Sequence, residues 1–159
     1  MRPGGPLDGA GVVVVGASAG IGRAVAHRVA DAGARLVVAA RREEALAELA
    51  EETGATVVAA DIRRSDDCRR LAGTATQTLG RVDLVVSTVG YAPLQRLRDA
   101  DESEWHEILA ANLVGTNQLL RSLLPVMAPG GMVAVLSSES VGNPRAGLGP
   151  YAAAKAGLE

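Results

Sequence analysis

Val12-Val13-Val14-Val15 runs without a break into Gly16-Ala17-Ser18-Ala19-Gly20-Ile21-Gly22, and apolar side chains then recur at Ile21, Val25 and Val29. A short run that is apolar at every position reads as a strand buried on both faces, and the four-residue spacing after it reads as one face of a helix. Glycine at three spaced places in the turn between them allows positive φ and lets a ligand approach the backbone. There, N–H groups and the positive end of the helix dipole attract anions. Strand, glycine turn and helix together point to the pyrophosphate of a dinucleotide, although a tight connection in a chain with 19 glycines would leave the same trace. The spacing is G-x-x-x-G-x-G rather than G-x-G-x-x-G, and no Gly-Lys-Ser/Thr follows, which disfavours a nucleoside-triphosphate loop.

Outward from this unit the alternation continues. Leu36 to Ala40, Thr56 to Ala60, Val82 to Val86 and Gly131 to Leu136 read as four further strands. Helical faces lie between them at Ala45, Leu46 and Leu49, and at Cys68, Leu71, Ala75 and Leu79. The longest helical pattern spans about Asp101 to Met127, with Trp105, Ile108, Leu109, Leu113, Thr116, Leu120, Leu123 and Leu124 at three- to four-residue steps, and Pro125 disturbs its last turn. Strands apolar throughout require helices on both sides of a parallel sheet. The expected fold class is therefore α/β, a doubly wound parallel sheet of Rossmann type. The 159 residues suffice for one domain, read as residues 1–159.

Composition removes several classes of function. At 48% hydrophobic and 21% charged the chain reads as neither disordered nor fibrous. A net charge of -2 with scattered arginines argues against nucleic acid as a partner. Cys68 is the only cysteine, so no internal disulfide and no thiolate metal cluster can form, which suits a reducing compartment. The leading MRPGGPLDGAG lacks the apolar stretch of an export signal, and no run reaches the roughly 18 apolar residues of a membrane span. The expectation is a cytoplasmic protein without a membrane partner and without a metal.

Two further positions speak to a ligand. The end of the second strand, where an acidic side chain would bond a ribose 2′-hydroxyl, reads Ala40-Arg41-Arg42. A guanidinium from Arg41 or Arg42 suits a 2′-phosphate, so NADP(H) is favoured and NAD(H) possible; alternatively both arginines only solvate the start of the next helix. Tyr151-Ala152-Ala153-Ala154-Lys155 sets an ammonium one helical turn from a phenol, and Lys155 is the only lysine beside 15 arginines. An adjacent cation stabilises phenolate and makes the phenol a usable general acid. Asn112 falls on the apolar stripe of the long helix, four residues from Ile108, and from the residues alone it reads as a buried amide bonded to backbone.

The Gly16/Gly20/Gly22 loop, Asn112, the Ser137-Ser138 pair after the fifth strand and Tyr151/Lys155 occur in the order and spacing of the short-chain dehydrogenase/reductase family, which the chain resembles over essentially its whole length. The resemblance implies hydride transfer between NADP(H) and a carbonyl or secondary alcohol. Ser138 would polarise the carbonyl, Tyr151 would act as general acid/base, Lys155 would bond the nicotinamide ribose and tune Tyr151, and Asn112 would hold a relay water. It also implies cofactor contacts from Gly16, Ser18, Gly20, Ile21 and Gly22, from Asp61 and Ile62 beside the adenine, from Gly90, and from Tyr151 and Lys155. A homo-oligomer, dimer or tetramer, built on the long helix and the one starting at Tyr151, is implied as well. Family members continue through two more strands, so the domain is expected to be incomplete at its C-terminal end, and a non-catalytic dinucleotide-binding module is the alternative reading. Two places depart from the family pattern: its leading Thr is Val15, and its Asn-Asn-Ala-Gly is Ser87-Thr88-Val89-Gly90. Both substitutions remove polar groups that tie down strand ends.

Overall fold

The computed structural model describes residues 5–159; Met1 to Gly4, the start of the leading segment read above, lie outside the described residues. Five parallel strands form one sheet in the order β3-β2-β1-β4-β5, with β1 (Gly11–Val15), β2 (Arg35–Ala40), β3 (Thr56–Ala59), β4 (Val82–Ser87) and β5 (Met127–Val135). The alternation of side chains along each strand divides the core in two. Val13, Val15, Val37 and Ala39 face α3 (Ser65–Leu79) and α5 (Gly115–Leu123), packing on Leu71, Ala75, Leu119 and Leu123. Val12, Val14, Leu36 and Val38 face α1 (Gly20–Asp31) and α2 (Glu43–Thr53), packing on Ala26, Val29, Leu46 and Leu49. The doubly wound α/β reading is thus what the chain adopts, and β1, at its centre, is buried at every residue.

Two elements differ from the sequence expectation. β5 starts at Met127 rather than Gly131: Met127 pairs with Val82 and Met132 with Leu84, so the intervening Pro129-Gly130-Gly131 segment bulges, with Gly130 at φ 79°. Lying at the sheet edge, β5 is only half-buried, and Met132 is 65% exposed. The long helix is also not one α-helix. It runs as α4 (Glu102–Leu109), a π turn over Ala110–Val114, α5, and a 3-10 turn over Leu124–Val126 that holds Pro125. The wide turn shifts the buried face to Ile108, Asn112, Thr116, Leu119 and Leu123, leaving Leu124 54% exposed.

From β1 the chain winds outward to β2 and β3, then crosses back to β4. The carboxyl ends of β1 and β4 therefore lie side by side at the point where strand order reverses, which in such sheets opens a crevice for ligands.

Candidate active site

A cleft of about 580 Å³ lies over that point, lined by the glycine turn, the ends of β2, β3 and β4, and Glu107 on α4. Its floor is made by backbone. Gly16 and Gly20 have φ of 86° and 55°, in the region that favours glycine. A Cβ at Gly22 would lie 2.3 Å from the Gly16 carbonyl oxygen and 2.5 Å from Thr88 Oγ1, so no larger residue fits without moving backbone. α1 starts after Ala19 with no side-chain cap and no acidic residue in its first turn, which leaves its N–H groups and positive dipole end to an anion. Ile21, in the first turn of this helix, is 61% exposed.

At the end of β2, Arg42 donates through Nε (3.3 Å) and a terminal nitrogen (3.1 Å) to Ser18 Oγ. The guanidinium therefore reaches across to the glycine turn instead of capping α2, where Arg42 makes no side-chain cap. Arg41 and Arg42 both line the cleft, and among the described residues neither forms a salt bridge. A third arginine behaves differently. Arg63 donates from Nε and its backbone N–H to Asp61 Oδ1 at 3.0 Å each, and also pairs with Glu107. That bonding holds the Asp61 carboxyl below the usual carboxylate range and raises Arg63 further. Asp61 thus stands at the cleft wall already engaged by a cation, while Ile62 behind it is 4% exposed and packs toward Gly115.

The other end of the cleft is organised by polar side chains on backbone. In α6 (Gly149–Ala156), Lys155 is 2% exposed, and its Nζ donates to the carbonyls of Leu136 (2.8 Å) and Val89 (3.1 Å), just past the ends of β5 and β4. Burial pushes the ammonium below the ordinary lysine range. The Tyr151 ring centroid is 5.8 Å from that nitrogen. A methyl group placed on Gly90 would lie 3.8 Å from both the Tyr151 hydroxyl and Asn112 Oδ1, so these two side chains converge on the end of β4. Asn112 is fully buried in the π turn, with Oδ1 accepting from Tyr91 N–H (3.1 Å) and Nδ2 donating to the carbonyls of Tyr91 (2.8 Å) and Ile108 (2.9 Å). Ser138, in the segment after β5, accepts from the backbone N–H (3.2 Å) and hydroxyl (2.8 Å) of Ser140 and makes no hydrogen bond to Tyr151.

Residues 10–159 match the sequence profile of the short chain dehydrogenase family. The chain belongs to that family. Short-chain dehydrogenases are NAD(P)-dependent oxidoreductases of small molecules and commonly assemble as oligomers. The chain is 34% identical over 161 residues to the Bos taurus protein named dehydrogenase/reductase SDR family member 4, covering 96% of this chain and 58% of that one. It is 34% identical over 155 residues to 11-beta-hydroxysteroid dehydrogenase A of Sesamum indicum, covering 92% and 44%. A crystal structure described as a putative short-chain alcohol dehydrogenase from Sinorhizobium meliloti superposes with a TM-score of 0.89 at 35% identity, covering 96% of this chain and 63% of that one. The chain thus spans roughly half to two-thirds of the length of these relatives.

Against the pattern of the short-chain dehydrogenases, Val15 and Ser87-Thr88 carried an expectation of looser strand ends. The ends are tied all the same: Thr88 N–H donates to the Val15 carbonyl at 2.9 Å, and its hydroxyl donates to the Val15 and Gly16 carbonyls at 3.1 and 3.4 Å. Ser140, Arg63 and the backbone of Tyr91 are participants that sequence reasoning does not single out. They act through backbone groups or through contacts between residues two apart, Ser138 with Ser140 and Asp61 with Arg63, in segments that follow neither the helical nor the strand period.

Proposed function

We propose that this chain binds NADP(H) and moves a proton at Tyr151 while a hydride passes between the cofactor and a carbonyl or secondary alcohol carbon. The carrying observation is the buried Lys155 ammonium, anchored on the ends of β4 and β5 one turn from a phenol that faces Gly90. The cradle fits a dinucleotide: positive-φ glycines, an uncapped helix end and two arginines that form no salt bridge among the described residues. Gly16, Ser18, Gly20 and Gly22 would hold the pyrophosphate with α1, Arg41 and Arg42 a 2′-phosphate, and Asp61 and Ile62 the adenine. When bound, the nicotinamide supplies or accepts the hydride.

Tyr151 gives its hydroxyl proton to the carbonyl oxygen in reduction and takes one from the alcohol in oxidation; Lys155 stabilises the phenolate left behind. Ser138 has both acceptor positions filled by Ser140, which leaves its own O–H to donate to the same oxygen. Asn112, its side chain spent on Tyr91 and Ile108, fixes the segment that carries Val89 and Gly90.

Two measurements test this reading. NADPH should bind more tightly than NADH, and the double change Ala40→Asp with Arg41→Ala should reverse the order; equal affinities in the unaltered chain would remove the phosphate assignment. With a panel of ketones, Tyr151→Phe should abolish turnover and leave NADPH affinity within about twofold. Cofactor binding without turnover in the unaltered chain would instead make it a dinucleotide-binding module. We also propose self-association through the helical face that includes Val114, 48% exposed, which light scattering would refute by returning a monomer mass at high concentration.

A further inference from the structure

The Thr88 hydroxyl occupies a particular place. It lies just past the end of β4, yet the carbonyls it serves are those of Val15, the last residue of β1, and Gly16, the first of the glycine turn. A Cβ on Gly16 would meet it at 2.6 Å and one on Gly22 at 2.5 Å, so two of the three glycines leave the space in which it sits. Val15, the last residue of β1, is 1% exposed and packs in the α3/α5 core, so it offers the turn no polar side chain. Among the described residues, apart from the Arg42 bond to Ser18, this hydroxyl makes the side-chain hydrogen bond that reaches the glycine turn from outside it.

We propose that Thr88 is the positioning residue of the glycine turn: by holding the Val15 and Gly16 carbonyls it keeps the turn in the shape that presents its N–H groups to a pyrophosphate. This rests on the dinucleotide reading above and goes beyond it in assigning the restraint to a residue of another strand. The physical effect is on population. A turn that loses the tie spends less time in its binding shape, and apparent affinity falls by that fraction. One neutral hydrogen bond sets the scale, a factor of about 3–10.

The experiment is fluorescence titration of NADPH, with thermal melts of the ligand-free protein, on the unaltered chain, Thr88→Val and Thr88→Ser. Valine keeps the branched shape and removes the donor; serine keeps the donor. Thr88→Val should bind NADPH about 3- to 10-fold more weakly, and Thr88→Ser should recover to within about twofold of the unaltered chain. Equal NADPH affinity in Thr88→Val, with only a lowered melting temperature, would make the hydroxyl a strand-end fastener and overturn the proposal. So would loss of affinity in the serine variant equal to that in valine. Failure of the unaltered chain to bind either NADPH or NADH would remove the dinucleotide reading itself, an outcome separate from both.

Discussion

Around Gly16 the cleft is shaped mainly by backbone, packed on a strand buried at all five residues, whereas around Lys155 it is shaped by polar side chains bonded to backbone carbonyls. The two regions share the carboxyl edge of one sheet and meet at Thr88 to Gly90. Their weaknesses are opposite. The glycine end is sensitive to added atoms, because its function is the absence of side chains; the lysine end is sensitive to removed ones, because each polar group there satisfies another.

The largest effect should come from adding one carbon to the glycine end. In Gly22→Ala the new methyl would have to occupy space 2.3 Å from a backbone oxygen, which no side-chain rotation can relieve. NADPH affinity should fall at least 100-fold and stability by roughly 3 kcal/mol, the upper part of the overpacking range. A urea midpoint and a cofactor titration check both; an alanine variant that binds normally would show that the close approach is not needed.

The mirror experiment removes polar atoms from the other end. Asn112→Leu keeps the volume and apolar surroundings but strands the Tyr91 N–H and two carbonyls, for an expected cost of about 2 kcal/mol. Turnover should fall together with stability, since Val89 and Gly90 lose their support. A fully stable Asn112→Leu protein would mean that the Tyr91 backbone finds other partners and that the comparison is drawn too sharply.

The same contrast explains what was legible in the sequence. The apolar runs place β1 to β4 to within a residue at their ends, because each strand is apolar nearly throughout and the glycine turn marks where the first one stops. The Tyr151 and Lys155 pair was legible because a lone lysine one turn after a tyrosine is visible in the chain itself. The π turn at Asn112 was not, since it changes the helical period by one residue and apolar side chains on either side still fit a continuous stripe. Nor was the early start of β5: Pro129-Gly130-Gly131 reads as a break before a strand, and only pairing of Met127 with Val82 makes it a bulge inside one.

A smaller effect separates the two ends by pH. Lys155 is depressed by burial, so between its lowered value and the ordinary lysine range near 10.4 the unfolded chain holds a proton that the folded chain has released, and stability from this group rises with pH. Cys68 works in the opposite sense: burial raises its thiol to about 11, so its contribution falls as pH climbs from the ordinary thiol range. Comparing the unaltered chain with Lys155→Met at each pH cancels the cysteine. The stability of the unaltered chain relative to the variant should then increase as pH climbs toward the ordinary lysine range, and parallel urea-midpoint curves would mean that Lys155 keeps its proton throughout.

The smallest expected effect probes a pair of side-chain charges beside the glycine end, Asp61 and Arg63. Asp61 sits below the usual carboxylate range because Arg63 bonds it. The sign follows: its contribution is complete above the unfolded carboxylate value of about 4 and is lost as pH falls through the lower, folded one. The pair is partly open to solvent, so the contribution should not exceed about 1 kcal/mol. Asp61→Asn keeps the shape and drops the charge. Its urea midpoint should lie slightly below that of the unaltered chain at pH 7, and the two should converge as pH falls below the carboxylate range. A gap that persists in acid would show that Asp61 acts through the hydrogen bonds its shape allows, not through its charge, and would bring this corner under the same backbone-centred rule as the glycine turn beside it.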